Sequence, residues 1–380
     1  MMAACQRVKL SEVITQNTDI ERITNTKSEH YITLALYGKG ARERHIKDEK
    51  YPVPFLGYRV TAGQFIYSRI DARNGAYGII GKSLDGFVVS KDFPVYNIDT
   101  SKILPQFLLR SVLSRGFVEQ VKQSSFGATN RMRIKEEVFE NYYISLPSLE
   151  VQKLIVDRLG RVSAVIASRE KEVTLLDELV KARFVELFGD PKYNKNNLVK
   201  IGEIGTLTSG GTPSRAKPEY FEGVIRWYSA GELNSLYLPD SVEHISQTAL
   251  KESSAKLFDK GTLMIGMYDT AAFKLGILTE ASSSNQACAN LNPQNDYNVV
   301  WLYYLFDIMK PIFLQERQGV RQKNLSLSKI REFEVPNAPI ELQNQFAAFV
   351  AQVNKSKVAV QKALDEAQLL FDSLMQKYFG

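Results

Sequence analysis

Two stretches of the chain carry apolar residues at steps that alternate between four and three positions. This periodicity predicts one helix from about Leu149 to Phe188 and a second helix that ends near Phe379. Alternating steps of four and three are typical of a coiled-coil seam, along which two helices pack together. The apolar seam positions are Ile155, Leu159, Val162, Ile166, Val173, Leu176 and Val180 in the first helix, and Phe346, Val350, Val353, Val360, Leu364, Phe371 and Leu374 in the second.

Polar residues interrupt this seam at Arg169, Arg183 and Lys357. Such residues either set the register of the two helices or pair with acidic groups of a partner protein. The pattern leaves both interpretations open.

A mixed segment of about 150 residues precedes each long helix. Short β-branched and aromatic runs predict strands in these segments, and apolar periodicity predicts shorter helices. The predicted strands are Phe65–Tyr67, Tyr77–Ile80, Gly86–Val89, Thr262–Ile265 and Ile277–Thr279, and the predicted helices are Pro105–Val121 and Val299–Leu314.

The two halves of the chain are copies of one unit. At an offset of 191 residues, Leu179–Gly189 matches Leu370–Gly380, and each seam position of the first helix has its counterpart in the second. The same offset pairs Val8–Val13 with Val199–Ile204, and Glu150 and Gln152 with Glu341 and Gln343. Inside the mixed segments the offset drifts to 198, as for Gly63 and Gly261, Asp71 and Asp269, and Gly78 and Gly276. We therefore predict a globular domain over residues 1–149, its long helix over 150–190, a second globular domain over 191–340 and its helix over 341–380.

The long helices have kept equal length while the mixed segments have diverged. One residue inserted into a helix rotates everything beyond it by about 100° and moves it by about 1.5 Å, whereas loops tolerate insertions. We interpret the equal length as a sign that the distance and rotation between the two domains matter. Recent duplication with little later change is the alternative. Two such copies imply pseudo-twofold symmetry.

Charge is distributed unevenly along the chain. Of 380 residues 44% are apolar, which is enough for folded cores. The formal net charge of +6 lies in the first domain, because residues 1–149 carry +6, residues 191–340 carry +1, and the helices carry −1 and zero. A modest positive charge permits a nucleic-acid partner without requiring one.

Several protein classes are excluded by composition. Two cysteines, Cys5 and Cys288, cannot form a disulfide framework or a cysteine zinc site, and the three histidines lack metal-ligand spacing. No apolar run reaches the roughly 18 residues that a membrane span needs, and residues 1–10 lack the apolar core of a signal peptide. We therefore expect a cytoplasmic protein that binds no metal.

Motifs of known catalytic sites are absent. The sequence has no GxxxxGK(S/T), GxGxxG, GxSxG or HExxH pattern, and Asn292-Pro-Gln-Asn295 poorly matches the Asn-Pro-Pro-aromatic segment of amino-methyltransferases. The acidic pair shared by both domains, Asp71 and Asp269, is interpreted as a turn residue in preference to a catalytic acid. A duplicated enzyme would be expected to show a shared catalytic set.

Basic residues cluster with polar neighbours in glycine-containing loops, a composition that contacts DNA phosphates and base edges. For any single residue, a solvated surface charge is the simpler interpretation. The loops Ser124–Arg133 and Gln315–Asn324 occupy similar places in the two domains, and contact with DNA or with the domain's own long helix is equally open for them. One cluster contains Lys39, Arg42, Arg44, Lys47 and Lys50. The candidate DNA-binding residues are Arg42, Arg44, Arg69, Arg73, Asn130, Arg131, Arg133, Thr212, Ser214, Arg215, Tyr228, Arg321, Gln322 and Lys323.

On these features the chain resembles the specificity (S) subunit of type I restriction-modification enzymes over nearly its whole length. Leu207-Thr-Ser-Gly-Gly-Thr-Pro-Ser-Arg215 and Tyr220-Phe-Glu-Gly-Val-Ile-Arg-Trp-Tyr-Ser-Ala-Gly-Glu-Leu233 look like the start of a target recognition domain. Each domain closes with an apolar-Pro step and Glu-x-Gln, at Leu146-Pro147 with Glu150-Val-Gln152 and at Val335-Pro336 with Glu341-Leu-Gln343. The first domain departs from the pattern with Thr15-Gln-Asn-Thr-Asp19, so residue roles do not transfer to it there.

The resemblance implies an α+β fold, with two similar globular α/β target recognition domains joined by two long antiparallel coiled-coil helices in pseudo-twofold arrangement. It implies a non-catalytic subunit that reads a bipartite DNA target in the major groove, one domain per half-site, with the helices as a ruler for the spacer. Implied partners are double-stranded DNA, two modification subunits that bind S-adenosylmethionine, and restriction subunits that use ATP and Mg. The chain itself is expected to bind no cofactor.

Three alternatives stay open at this point. The chain could be a nuclease or methyltransferase with an unrecognised site, or a coiled-coil scaffold that binds only protein. Within the family it could also be a silent cassette.

Overall fold

The computed structural model describes residues 6–127, 132–194, 196–317 and 324–380. The chain divides into two compact units: unit 1 comprises residues 1–170 and 362–380, and unit 2 comprises residues 171–361. Each unit therefore contains part of both long helices.

Unit 1 combines short strands with short helices ahead of the first long helix. Its strands are β1 (Gln6–Lys9), β2 (Ile14–Gln16), β3 (Glu21–Ile23), β4 (Ile32–Ala35), β5 (Gly40–Glu43), β6 (Phe55–Arg59), β7 (Phe65–Tyr67), β8 (Tyr77–Ile79), β9 (Val88–Ser90), β10 (Val95–Ile98) and β11 (Tyr143–Leu146). Its short helices are α1 (Pro105–Val112), α2 (Arg115–Ser124) and α3 (Glu136–Glu140). The first long helix, α4 (Leu149–Phe188), begins here and ends in unit 2.

Unit 2 follows a similar order, from short strands through a helix to a closing strand and the second long helix. Its strands are β12 (Leu198–Lys200), β13 (Gly205–Ser209), β14 (Ile225–Tyr228), β15 (Glu243–Ile245), β16 (Leu263–Gly266), β17 (Leu275–Ile277), β18 (Ser283–Ser284), β19 (Cys288–Pro293) and β20 (Glu334–Pro336). Its short helices are α5 (Ile201–Ile204), α6 (Gln247–Glu252), α7 (Val299–Phe313) and α8 (Leu327–Glu332). The second long helix, α9 (Ile340–Phe379), begins in unit 2 and ends in unit 1.

A four-stranded antiparallel sheet lies at the centre of each unit. The strand order is β2-β10-β7-β8 in unit 1 and β13-β19-β16-β17 in unit 2. A separate antiparallel pair joins the first and last strands of each globular segment, β1 with β11 and β12 with β20. Even a side-chain link recurs, because Lys9 Nζ donates to Asn141 at 2.9 Å and Lys200 Nζ donates to Glu332 at 2.7 Å. The duplication seen in the sequence is therefore a duplication of structure.

The repeated glycines at 63 and 261 have a backbone reason. Gly63 has φ of +92° and Gly261 has φ of +88°, a region that side chains strongly disfavour. Both lie just before a central strand, β7 or β16, in the turn that leads into it. The shared glycine thus marks a shared turn.

One buried glutamine joins each long helix to the globular core that precedes it. Gln152 is 0% exposed; its Oε1 accepts from Leu104 N at 2.8 Å, and its Nε2 donates to Lys102 O and Pro147 O, each at 2.9 Å. Gln343, also 0% exposed, accepts from Asn298 N at 2.8 Å and donates to Ala338 O at 2.7 Å and Asp296 O at 3.4 Å. The glutamine of the Glu-x-Gln repeat therefore joins helix and core through a buried amide whose hydrogen-bonding groups all have partners.

The end of each long helix packs against the helix that follows the central sheet. In unit 1 the ring centroids of Phe379 and Phe107 lie 5.1 Å apart, and in unit 2 those of Phe188 and Trp301 lie 5.9 Å apart. Aromatic pairs at this separation contribute beyond their buried area. The phenylalanine of the repeated Phe-Gly sequence at the end of each long helix is thus a packing residue.

Every predicted seam position is buried or half-buried. In unit 2, Val180 shares one core with Phe346, Val350 and Val353, and the antiparallel direction follows because Phe184 meets Phe346 while Asp177 meets Lys357. In unit 1, the start of α4 meets the end of α9, as the bond of 3.0 Å from Arg158 Nη1 to Tyr378 shows.

Two of the polar seam residues have partners inside unit 2. Lys357 Nζ donates to Asp177 Oδ1 at 2.6 Å. Arg183 pairs with Glu186 at 2.7 Å, and its guanidinium lies 5.8 Å from the ring of Phe349. These contacts favour the register-setting interpretation for both residues.

The predicted fold class is confirmed, with corrections to some elements. The helix predicted over 105–121 is wrong as a single element, because Ser114 caps a new helix by accepting from Phe117 N at 3.4 Å. The strand predicted over 86–89 begins at Val88, since Phe87 N bonds Leu84 O in a turn. The strand predicted over 277–279 is instead Leu275–Ile277. The other predicted strands match within about one residue, and the helix predicted over 299–314 matches α7.

Candidate nucleic-acid interface

The most basic segment of unit 1, residues 39–50, begins in a two-stranded antiparallel ribbon, β4 with β5. Leu34 pairs with Ala41 on the face that joins the core, and Thr33 pairs with Arg42 on the opposite, solvent-facing side. Arg44 continues this side two residues later and bonds Tyr31 O through its backbone N at 2.7 Å. Successive strand residues point to opposite faces, so the pairing register presents Arg42 to solvent.

The ribbon is anchored to the central sheet at Gly78, one of the glycines that the sequence repeats, and at the segment before it. A Cβ on Gly78 would lie 2.8 Å from Ala41 N, so only glycine permits this close approach. At the ribbon's turn, Tyr37 N donates to Asn74 O at 2.8 Å and Gly38 N donates to Gly75 O at 2.9 Å. The Gly75-Ala-Tyr-Gly78 segment lacks the GxGxxG spacing of a nucleotide-binding loop. Its role is therefore to hold the ribbon against the central sheet.

Four cations in strand β5 and beside it face solvent without a neutralising partner. Lys39, Arg42, Arg44 and Lys47 are exposed, and within the described residues no carboxylate contacts their charged ends. The neighbouring Glu43 contacts His30 Nδ1 instead, at 3.1 Å. Unneutralised lysines and arginines are the groups that bind phosphates and displace counterions.

The other arginines of unit 1 that are predicted to bind DNA have surroundings within the protein that set them apart from the ribbon cations. Arg69 forms an ion pair with Glu136, and Arg133 pairs with Asp92 at 3.3 Å. Arg73 lines a cavity of about 660 Å³ together with Arg110, Arg115 and Phe371. Burial lowers the pKa of Arg110, whose guanidinium lies 5.1 Å from the ring of Phe371. For Arg69 and Arg133, a phosphate would have to compete with a carboxylate already in place.

In unit 2, Arg215 is held by its own domain. Its guanidinium binds both carboxylate oxygens of Glu243, with Nη2 to Oε2 at 2.7 Å, and this bond lowers the pKa of Glu243. The same guanidinium stacks 4.2 Å from the ring of Phe221 and 5.4 Å from that of Trp227. Bidentate pairing and stacking together fix the side chain.

The other predicted residues of this segment are spread between core and surface. Tyr228 is 1% exposed and donates its hydroxyl to Pro239 O at 2.6 Å, so it lies in the core and not on a surface as its prediction required. Thr212 donates to Gln286, and Ser214 is exposed. Trp227 Nε1 donates to Gly211 O at 3.0 Å, which ties the Gly-Gly step to the core.

Five predicted residues, Asn130, Arg131, Arg321, Gln322 and Lys323, lie outside the described residues. The described ends of the first loop do pair, because Phe126 and Arg133 exchange backbone bonds of 3.0 and 2.7 Å. DNA contact at all these positions stays a prediction.

Gln152 and Gln343 fix the long helices to the globular cores, although neither is among the candidate DNA-binding residues. The signal for them was present, since Glu-x-Gln recurs at an offset of 191 residues. Lys39 and Lys47 belong to the basic cluster in the sequence, but only the fold shows that both side chains are exposed.

Neither a metal site nor a membrane-spanning helix is found among the described residues. Within the part of the chain that the structure describes, no group of three or more His, Cys, Asp and Glu side chains could hold a metal ion. Among the same residues, no helix is long and apolar enough to cross a membrane.

The chain is similar to proteins of one family. The family model for the type I restriction modification DNA specificity domain matches it twice, over residues 7–176 and 193–367. The specificity subunit of type I restriction enzyme MjaIX from Methanocaldococcus jannaschii is 29% identical over 160 residues, which cover 40% of this chain and 36% of the relative. The EcoR124I/EcoR124II specificity subunit from Escherichia coli is 24% identical over 207 residues, which cover 52% of this chain and 50% of the relative. The chain thus matches between about a third and a half of the length of these two relatives.

Two solved structures share the fold over the full length. A chain from a study of complex assembly and conformational transition of the type I R-M system aligns with 100% of this chain and 98% of its own, at 19% identity and a TM-score of 0.59. The type I restriction-modification S subunit from M. genitalium aligns with the same coverage, at 14% identity and a TM-score of 0.56. Because the family model matches most of the sequence in two copies, the chain belongs to the type I restriction modification DNA specificity domain family.

Proposed function

We propose that this protein is the DNA sequence-recognition subunit of a type I restriction-modification complex. It reads a bipartite target, with one globular domain on each half-site. The observation that carries the proposal is the duplication: the family domain occurs twice, and the two helices of 40 residues each keep an offset of 191 residues. Two copies of one reader suit a target made of two parts.

In this proposal the chain performs no catalysis and binds no cofactor of its own. Two modification subunits bind S-adenosylmethionine and methylate adenine, and restriction subunits use ATP and Mg to translocate and cleave DNA in the cytoplasm. The support is that the curated relatives are named specificity subunits.

Exposed leucines on the long helices are the surface that we assign to the modification subunits. Leu179 is 47% exposed in unit 2 and Leu370 is 50% exposed in unit 1, and the two are equivalent at the 191-residue offset. Equivalent exposed leucines in both copies would let one kind of partner bind twice.

The long helices act as the ruler for the spacer between half-sites. Seven residues inserted after both Ser168 and Ala359, which are equivalent positions, preserve the seam period. Such an insertion adds about 10.5 Å to each helix. Duplex DNA advances by about 3.4 Å per base pair, so we expect the recognised spacer to lengthen by roughly three base pairs.

The experiment measures binding of duplexes by the full chain assembled with its modification subunits. The wild-type complex should prefer one bipartite sequence over random duplex, with affinity that falls steeply as salt rises because phosphate contacts release counterions. The helix-insertion variant should keep both half-sites and lengthen the spacer. Binding with no sequence preference would contradict the proposed function, and altered half-sites at an unchanged spacer would contradict the ruler.

A further inference from the structure

We propose that the β4–β5 ribbon of unit 1 enters the major groove of the half-site that this unit reads. Arg42 reads the edge of a guanine there, and Lys39, Arg44 and Lys47 bind the flanking phosphates. This inference rests on the proposed DNA-recognition function and names the element and residues that carry it out in unit 1.

The ribbon has the size and attachment that groove entry requires. The major groove of B-form DNA is about 12 Å wide and admits a two-stranded β-ribbon, whose strands lie about 4.8 Å apart. Leu34 and Ala41 bind the inner face of the ribbon to the core, which leaves Thr33 and Arg42 side by side on the outer face. A ribbon anchored on one face holds its other face in a fixed position.

The tip of the ribbon supports the same placement. Tyr37 is 78% exposed and has φ of +58°, an uncommon backbone conformation for a tyrosine. The backbone bonds to Asn74 and Gly75 hold this conformation in place. Non-glycine residues kept in this region concentrate at ligand-contacting sites.

Arg42 has the chemistry of a base reader. Arginine donates two parallel hydrogen bonds to O6 and N7 of guanine, the commonest base-specific contact in protein–DNA complexes. Its guanidinium is exposed and touches no described carboxylate, unlike those of Arg69 and Arg133. Arg42 also lies inside a paired strand, whereas Lys39, Arg44 and Lys47 flank that strand.

Unit 2 has a different arrangement in the corresponding place. Between β13 and β16 its described residues form β14 and β15, where Arg226 is tied to Asp240 at 2.9 Å and to Glu280 at 3.0 Å. Arg215 is tied to Glu243. Among the described residues, these two arginines of unit 2 are therefore neutralised, whereas residues 1–149 carry a formal net charge of +6.

The test uses the full chain assembled with its modification subunits, in cells and as a purified complex. Methylated adenines in cellular DNA define the recognised motif for wild type, R42A, R42K and the control K82A. Lys82 is another exposed lysine of unit 1, outside the ribbon. The purified complexes, together with a K39A/R44A/K47A variant, are titrated with a motif duplex across a range of salt. Thermal unfolding verifies that each variant is folded.

Both Arg42 variants should lose preference for guanine at one position of one half-site, by roughly 5- to 150-fold, while the other half-site and the spacer stay unchanged. R42K should lose much of the preference despite keeping its charge, because lysine lacks the planar fork of the guanidinium. The triple variant should keep the motif while its salt slope falls by about 0.9 for each lost phosphate contact. K82A should behave as wild type.

The outcomes separate this inference from the proposed function. No motif from the wild-type complex would overturn the proposed function. A wild-type motif that both Arg42 variants retain in full, or that changes equally in both half-sites, would overturn the role of Arg42 alone. An unchanged salt slope in the triple variant would overturn the phosphate contacts of the ribbon.

Discussion

The buried amide of Gln343 offers a direct test of how the long helices are fixed to their globular cores. In a Q343A variant, three backbone groups lose their side-chain partner: Asn298 N at 2.8 Å, Ala338 O at 2.7 Å and Asp296 O at 3.4 Å. Each hydrogen bond contributes roughly 1 kcal/mol, and a buried group left without a partner costs about 1–3 kcal/mol. Because the third bond is long, we expect a loss of about 2–4 kcal/mol in the free energy of unfolding.

Both tryptophans of the chain, Trp227 and Trp301, lie in unit 2, so their fluorescence reports on the unit that contains Gln343. Trp301 is also close to the joint, since its backbone N donates to Asn298 Oδ1. Urea unfolding followed by this signal should shift to lower denaturant by about 1–2 M, given a slope of about 2 kcal/mol per molar.

The matched control is Q352A, an exposed glutamine on the same helix. Exposed substitutions usually change stability by less than about 0.5 kcal/mol, so its midpoint should stay near that of wild type. If Q343A and Q352A unfolded at the same urea concentration, the joint would not hold the helix as described.

Three more tests concern a buried thiol, two exposed leucines and a glycine beside the ribbon. With the other cysteine replaced by serine, Cys288 should resist alkylation at pH 8.5 in the native protein and react on unfolding, because burial raises the pKa of its thiol to about 12. The same shift means that the thiol's contribution to stability is present below its unfolded pKa, about 8.5, and is lost as pH rises toward 12. Alkylation of the native thiol at the rate of a free cysteine would contradict its burial. L179Q and L370Q should each weaken assembly with the modification subunit in sedimentation experiments while leaving the thermal unfolding of the isolated chain nearly unchanged; undiminished assembly would remove these leucines from the interface. G78A should destabilise unit 1 by roughly 1–3 kcal/mol through overpacking against the ribbon, whereas G116A, which meets open space, should not; circular dichroism during urea unfolding compares them.

The duplication and the long helices could be predicted because their signals are local and periodic. A seam of alternating steps over 40 residues leaves few alternative structures, and α4 spans the predicted residues Leu149–Phe188. The break between α1 and α2 could not be predicted from periodicity, because the apolar spacing continues across it. It depends on Ser114, whose hydroxyl accepts from Phe117 N.

The status of the basic residues could not be predicted, because it depends on contacts between distant positions. Arg69 meets Glu136, 67 residues later in the chain, and Arg133 meets Asp92, 41 residues earlier. Arg215 meets Glu243, 28 residues later. Composition alone gives all these arginines the same weight as Arg42, and only the folded chain separates cations that are neutralised from those that are not.

The central claim is that two copies of one reader recognise two half-sites at a spacing set by the helices. The most direct measurement is a map of methylated adenines in DNA from cells that express the full chain with its modification subunit. We predict one motif made of two defined half-sites separated by a spacer of fixed length and unspecified sequence. A single uninterrupted motif, or methylation with no sequence preference, would contradict the claim.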